Sequence, residues 1–512
     1  MATVKARNAC VACRHGKRRC DRGQPKCTTC SRTGRDCAYD TDIAYFSAVD
    51  SDNSSSENPI STHATPSSSS YQPTSGQGVS VGPGLIDIAI DPFRLEPLRR
   101  LTVDSIARKE LLGVVGSMDN MRRVASSYFA SISPRLPILS PKRFLERLPS
   151  ITSPGCTADF ATLCLGTCLI VEVPTLDATS MQSSLYVKVK GILSLLEASS
   201  YHSLEEVQCR IIVAFYEMGH GIYPAAAASI GAAAKVARLL GLHRDLPDSR
   251  PGEAESYSIV EERRRTLWGL HNLDRYVNLC TQECLFTLPY PRGEDPLPIE
   301  ERLWEQDMAS AAVTHTLNTP SDVTIGTFAR ECQICHLVGR VLRNVYEPTS
   351  DASFQTQEAE QLEATMLAFI PLLREHSEDF GKYCISFAIC SSALFTLYGS
   401  SLESYKYDED TKAKRSALLE KISLEITHYC RRLFEIEDEI NFNSLSPLVP
   451  YAIYQATVIQ LRLIQPGAAA IYAENVEYLK KVLGHYTRIW LIAGKYRQKL
   501  EMDSPPLLVS AF

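Results

Sequence analysis

The stretch ACVACRHGKRRCDRGQPKC (Ala9–Cys27) carries four cysteines and six Lys/Arg residues in nineteen positions. Followed outward, the pattern reads Cys10-x2-Cys13-x6-Cys20 and then Cys27-x2-Cys30-x6-Cys37. Each cysteine of the second half stands 17 positions after its counterpart, so the unit is an internal duplication. A C-x2-C pair sets two thiolates where one tetrahedral zinc ion takes both. Six thiolates are two fewer than two separate tetrahedral zincs require, and two bridging thiolates make up the difference. The pair related by the duplication, Cys10 and Cys27, is the symmetric candidate for the bridges. Cys13 and Cys20 then serve one metal, and Cys30 and Cys37 the other. The spacing alone does not force that assignment.

Charge is as uneven as cysteine. Residues 1–40 hold ten Lys/Arg against three Asp, a net of +7, while the rest of the chain holds 43 Lys/Arg against 56 Asp/Glu, a net of −13. A basic head on an acidic body implies that the head meets a polyanion, which the body as a whole would repel. Six of the 17 cysteines lie within residues 10–37 and eleven are scattered singly among apolar residues. In a reducing compartment dense cysteines suggest metal, and scattered ones suggest small buried hydrophobes. The opening MATVKARNACV has no apolar stretch before the first cysteines, so no secretory signal is expected. The run Phe160–Val171 reads as the longest apolar one, about half of the ~20 residues that span a bilayer. A soluble intracellular protein with no membrane partner is the expectation.

At 512 residues the chain exceeds one ordinary core. Residues 51–80 contain eleven serines with Pro59, Pro66 and Pro73 and few large aliphatics, too little apolar surface to offset chain entropy. The expected organisation is a cysteine module over 1–40, a disordered Ser/Pro-rich linker over 41–84, and an all-α domain over 85–512. Leu185, Val189, Ile192, Leu193 and Leu196 recur with helical period. AAAASIGAAAKVARLLGLHRD reads as a helix ending near Gly241, and Leu479, Val482, Leu483, Tyr486, Ile489 and Trp490 continue the theme. Few stretches alternate with period two.

The cysteine pattern resembles the fungal binuclear zinc-cluster family of transcription factors, whose halves are each C-x2-C-x6-C. The resemblance implies a small module of two short helices holding two Zn²⁺, with the cysteines matching Cys10 and Cys27 as bridges. Pro25 matches a proline that turns the loop between the halves, usually through a cis bond. The basic run between Cys13 and Cys20 matches a helix whose C-terminal end enters the major groove. There Lys17 corresponds to the reader of guanine O6 and N7 in CGG-like triplets. Arg14, Arg18, Arg19 and Lys26 are expected to hold phosphates. Gly16 departs from the pattern, standing where many members carry a second Lys or Arg. These basic residues also suit a nuclear-localisation signal.

YFASISPRLPILSPKRFLERL (Tyr128–Leu148), AAAKVARLLGLHRD (Ala232–Asp245) and EERRRTLWGLHNLDRYVNL (Glu261–Leu279) resemble the family's middle homology region, over about 105–300. The resemblance implies an all-α regulatory domain. Leu267, Leu270 and Val277 give the third stretch a buried face. Arg263–Arg265 read as caps or ion pairs rather than DNA contacts, and Asp274–Arg275 as a structural ion pair. CQICH (Cys332–His336) matches a haem-attachment spacing but sits in an amphipathic helical pattern, so haem is not expected. DTDIAYFSAVDSD (Asp40–Asp52) is acidic and aromatic, as an activation segment can be, though such patterns are common in linkers.

The expected function is a nuclear, zinc-dependent, sequence-specific regulator of RNA polymerase II genes, controlling a fungal metabolic or secondary-metabolite gene cluster. Its partners would be double-stranded DNA and the transcription machinery. An enzyme is not expected: fully thiolate-ligated zincs leave no open position, and no H-E-x-x-H or nucleophile–base set stands out. The alternative is a transcriptional cofactor that acts through protein partners and binds DNA weakly. Residues 41–80 show no a/d heptads, so a monomer, or a homodimer held by the helical body, is expected rather than a zipper dimer.

Overall fold

The computed structural model of the chain describes residues 10, 12–13, 18–23, 25–34 and 37, and then 96–502 apart from 176, 245–256, 307, 309–311, 375–382, 404–406, 436–443 and 465–468. The expected linker over 41–84 and the acidic stretch Asp40–Asp52 lie outside the described residues. The chain divides into two compact units, Met1–Ile86 and Asp87–Phe512. In the first, one helix is complete among the described residues, α1 (Thr28–Thr33), and Ala12 and Cys13 are helical.

The second unit is built from helices. In order they are α2 (Glu96–Val115), α3 (Met118–Ser131), α4 (Pro141–Arg147), α5 (Ala158–Ile170), α6 (Ser184–Ala198), α7 (Leu204–Gly219), α8 (Tyr223–Leu239) and α9 (Tyr257–Thr281). Then come α10 (Glu301–Glu305), α11 (Thr327–Tyr346), α12 (Ala352–Arg374), α13 (Cys384–Glu403), α14 (Glu409–Glu435), α15 (Pro450–Leu463), α16 (Ala469–Thr487) and α17 (Leu491–Met502). Among the described residues of this unit there is no strand, only an isolated bridge between Pro296 and Thr316.

Local chemistry sets many of the helix ends. Ser117, Ser140, Ser183 and Ser203 each stand before a helix and accept a backbone N–H from the first turn, which satisfies a donor the helix leaves open. Gly241, at φ 68°, closes α8: its N–H reaches Arg238 O and the next N–H reaches Ala237 O, the double bond of a left-handed helix stop. That is why the alanine-rich helix ends where its glycine stands.

Burial follows the apolar pattern. α6 buries Leu185, Tyr186, Val189, Ile192, Leu193 and Leu196 on one face. α5, almost wholly apolar, is buried at every position, and α7 is buried from Glu206 onward with its polar side chains partnered: Arg210 donates to Glu206, Gln208 to Glu262, and Glu217 accepts from Lys190. Neighbouring helices pack in succession, α5 with α7, α7 with α8, α9 with α11, α11 with α13 and α15 with α16, and α17 returns to touch α7. Of the eleven cysteines outside the head, eight are buried and three half-buried, all as free thiols.

Three expectations change. Leu479, Val482, Leu483 and Tyr486 lie in α16, but that helix ends at Thr487, and Ile489 and Trp490 sit in the turn before α17. The period continues through the break because Trp490 still points inward, donating its indole N–H to Leu445 O at 2.6 Å. Leu267 is only half-buried, and Trp268 joins Leu270 and Val277 on the inner side of α9. Phe160–Val171 is not the longest apolar candidate. α13, 20 residues, is by length and composition long enough to cross a membrane, yet 89% of its most apolar window is buried inside the fold. It packs against α11, α12, α14 and α15, the position of a core helix.

The ion pairs of α9 are structural. Arg265 is fully buried, donates to Glu261 Oε1 at 2.8 Å and Ile299 O at 2.6 Å, and lies 4.2 Å from the Trp304 ring centre. Arg264 also pairs with Glu261, and Arg263 donates to Leu240 O at 3.2 Å. Asp274 and Arg275 pair with each other and together clasp the segment after the helix. Asp274 accepts the N–H groups of Thr287 and Leu288, while Arg275 donates to Leu288 O and Pro289 O. In α11, Cys332 and Cys335 are buried in the core, where desolvation drives both thiols well above their ordinary pKa.

Candidate metal centre

All six cysteines of the head come together. Two sets of four sulfurs form, Cys10, Cys13, Cys20, Cys27 and Cys10, Cys27, Cys30, Cys37, each with all its sulfurs within 4.8 Å of one another. Cys10 and Cys27 belong to both sets. The separations are 3.7 Å for Cys10–Cys27, 3.8 Å for Cys20–Cys10, 3.7 Å for Cys13–Cys27 and 3.6 Å for Cys10–Cys30. A tetrahedron of sulfurs at the Zn–S distance of about 2.3 Å has edges of about 3.8 Å. The donor set and its dimensions therefore fit two four-coordinate zinc ions.

The duplication is visible in the backbone. Cys10 N–H points to Cys20 Sγ at 3.5 Å, and its counterpart Cys27 N–H points to Cys37 Sγ at 3.2 Å. Cys27 also caps α1, accepting Cys30 N–H at 3.3 Å. Such N–H groups favour the charged thiolate. Two further contacts hold the halves together: Asp21 accepts the Thr28 N–H at 2.9 Å, and Thr29 Oγ1 donates to Arg19 O at 3.0 Å. No spacing rule signals either contact, because both bridge a turn whose course the sequence does not announce.

Cys10, Cys13, Cys27 and Cys30 are at most 2% exposed, and among the described residues the other apolar groups packed against them are half-buried Ala12, Cys20 and Cys37. The sulfurs are the core of this unit. Without a cation, burial pushes the Cys10, Cys13 and Cys30 thiols up to about 12. For Cys20, burial also works upward, but hydrogen bonds from the Cys10 and Arg22 amides outweigh it and bring the thiol down to about 7. Zinc must displace these protons on binding, so its affinity falls as pH falls.

Arg18, Arg19 and Lys26 are exposed, and none pairs with an acidic side chain among the described residues. Pro25 lies in the exposed bend between the halves. Arg14, Gly16 and Lys17 lie outside the described residues.

Two family profiles match this architecture. The fungal Zn(2)-Cys(6) binuclear cluster domain matches residues 8–44, and the fungal specific transcription factor domain matches residues 125–379, beyond the span of about 105–300 read from the sequence. Among curated relatives, transcription factor BOA15 of Botryotinia fuckeliana is 32% identical over 160 residues, 31% of this chain and 87% of that protein. Transcription factor tazR of Aspergillus terreus is 29% identical over 203 residues, 36% of this chain and 31% of tazR. The citrinin biosynthesis transcriptional activator mrl3 of Monascus ruber is 25% identical over 307 residues, 53% of this chain and 59% of mrl3. The chain thus spans about a third of tazR and three-fifths of mrl3. No solved structure matches. Neither the family nor these relatives are enzymes, and the family's cluster domain holds two zinc ions. With both profiles in order along one chain and six thiols arrayed for two metals, the protein belongs to the fungal Zn(2)-Cys(6) binuclear cluster family of transcription factors.

Proposed function

We propose that the chain is a nuclear, sequence-specific DNA-binding regulator of transcription, with Cys10 and Cys27 bridging two zincs. Cys13 and Cys20 complete one site, and Cys30 and Cys37 the other. The observation that carries the reading is the pair of four-sulfur sets sharing two members, in a module with a net charge of +7. Two Zn²⁺ and six thiolates sum to −2, so the surrounding cations must outweigh the cluster before a phosphate backbone can approach. Arg18, Arg19 and Lys26 are free to do so, and we assign phosphate contact to them and to Arg14. Lys17 is assigned to base reading of a CGG-like triplet. Relatives named for citrinin and pigment biosynthesis support control of a secondary-metabolite gene cluster.

The test is zinc content together with binding to CGG-containing duplexes, with and without chelator. Two zincs per chain, loss of binding on chelation, and loss of triplet preference in Lys17→Ala are expected. Binding that survives chelation, or ignores the triplet, overturns the reading. Gly16 favours one second reading, a cofactor that keeps the cluster but acts through proteins, because a base-reading donor is missing beside Lys17. In that case purified chain binds CGG and scrambled duplexes equally weakly.

A further inference from the structure

The body carries a net charge of −13, yet its residues 478–500 contain six Lys/Arg and no Asp or Glu. These six, Lys480, Lys481, Arg488, Lys495, Arg497 and Lys499, belong to α16, α17 and the turn between them. Two have acidic partners: Lys480 with Glu477 at 2.8 Å and Arg497 with Glu501 at 3.1 Å, both pairs on the surface, where such contacts are weak. Lys495 donates to the His220 and Gly221 carbonyls at 3.1 and 3.0 Å, and Lys499 lies 5.6 Å from the Tyr454 ring centre. Lys481 and Arg488 are exposed and pair with no acid among the described residues.

Three of the cations form a row. Lys481 and Gly484 share a face of α16, and Arg488 extends that face just past the helix end. Arg497 crosses from α17 to lie over Gly484: a Cβ built there would sit 3.4 Å from its Nη1. At 1.5 Å rise per residue, Lys481 to Arg488 spans about 10 Å with Arg497 between them. One strand of a DNA duplex presents about three phosphates over that length.

We propose that this row is a second DNA contact, one that grips backbone phosphates flanking the site read by the cysteine module. It rests on the DNA-binding reading above. An acidic protein segment would satisfy the same charge, but protein interfaces are centred on buried apolar residues. Between Ile471 and Met502 this surface has no exposed large hydrophobic side chain. Phosphate contact needs none. The body therefore repels DNA as a whole and holds it along one edge.

The experiment compares the full chain with Lys481→Glu/Arg488→Glu and with Lys481→Gln/Arg488→Gln on two duplexes. One is about 40 base pairs long with a central CGG, and the other is trimmed close to the triplet. On the long duplex the wild type should bind more tightly and with the steeper salt dependence. The glutamine variant should lower the slope of log K against log salt by about 2, since each phosphate contact contributes about 0.9. The loss in affinity should be about 60-fold near 0.1 M salt, the two contacts counting for nothing at 1 M, and greater in the glutamate variant. On the trimmed duplex all three proteins should bind alike, which shows that the module is intact, and unchanged helical circular dichroism should show that the body of each variant folds. Equal affinity and slope on the long duplex overturn this inference and leave the module's function standing. Absence of binding by the wild type to either duplex overturns the DNA-binding reading itself. An acidic peptide that binds the wild type but not the variants, with duplex binding unchanged, reassigns the row to a protein partner and also overturns the inference.

Discussion

A thiolate shared by two metals has a different weight from one that serves a single metal. Cys27 belongs to both four-sulfur sets and Cys37 to one. Cys27→Ala should therefore release both zincs, whereas Cys37→Ala should leave one, as read by metal content after gel filtration. Equal losses would argue against bridging at Cys27. In the body the singular residue is Glu331. Burial pushes its carboxyl up to about 8 even though Asn272 donates to it at 3.0 Å. A carboxyl raised this way is neutral in the fold and ionised in the unfolded chain above its ordinary pKa of about 4.3. Its stabilisation is fully present below that value and is lost as pH rises towards about 8. Glu331→Gln should remove the penalty, raising stability at pH 7.5 by on the order of 2 kcal/mol and not at pH 4.5. Denaturant titration of wild type and variant at the two pH values measures it. The six cysteines were legible because ligand spacing is a local rule. Glu331 was not, since its partner Asn272 stands 59 residues earlier in the chain and reaches it only through helix packing.

At the scale of helices, the closest approach to a helical glycine described is at the end of α7, against the turn into α17. A Cβ at Gly219 would lie 2.3 Å from Trp490, whose ring also meets Phe215 and His220 edge-on or tilted. Gly219→Ala should cost about 1–3 kcal/mol through overpacking, read as a lower denaturation midpoint. Gly484→Ala makes a useful comparison, because its nearest contact is the flexible end of Arg497 at 3.4 Å. Helix α6 and the stop of α8 could be read from period and glycine. The break after Thr487 could not, because an inward Trp490 preserves the apolar period while the backbone turns. Buried arginines such as Arg265 also escape a pattern that equates charge with surface. Their position follows from Glu261, one turn earlier, and from the Ile299 carbonyl, 34 residues later.

At the scale of the whole molecule, the two units hold together by different means. The body buries a large apolar core drawn from residues between Ala107 and Leu500 and a smaller one around Trp268 and Phe328, whereas the head buries sulfur. Chelation should unfold the head and leave nearly all helical circular dichroism in place, since α2 to α17 all belong to the body. Protection of head amides from hydrogen exchange should vanish with the metal, while that of α5 and α7 persists. The two-unit organisation was readable from composition and charge. The basic edge along α16 and α17 was hidden within the acidic total until the helices placed its residues side by side.

The 17-residue offset that relates the two halves of the head also bears on its ancestry. Each half supplies three sulfurs, and its backbone repeats the same N–H to sulfur contact at Cys10 and at Cys27. Two copies of either half would bring the same six donors to the same two metals. A peptide of a single half is thus a self-complementary piece that zinc can join to its twin. Fusing two such pieces in tandem turns a concentration-dependent assembly into one chain, after which the halves are free to diverge.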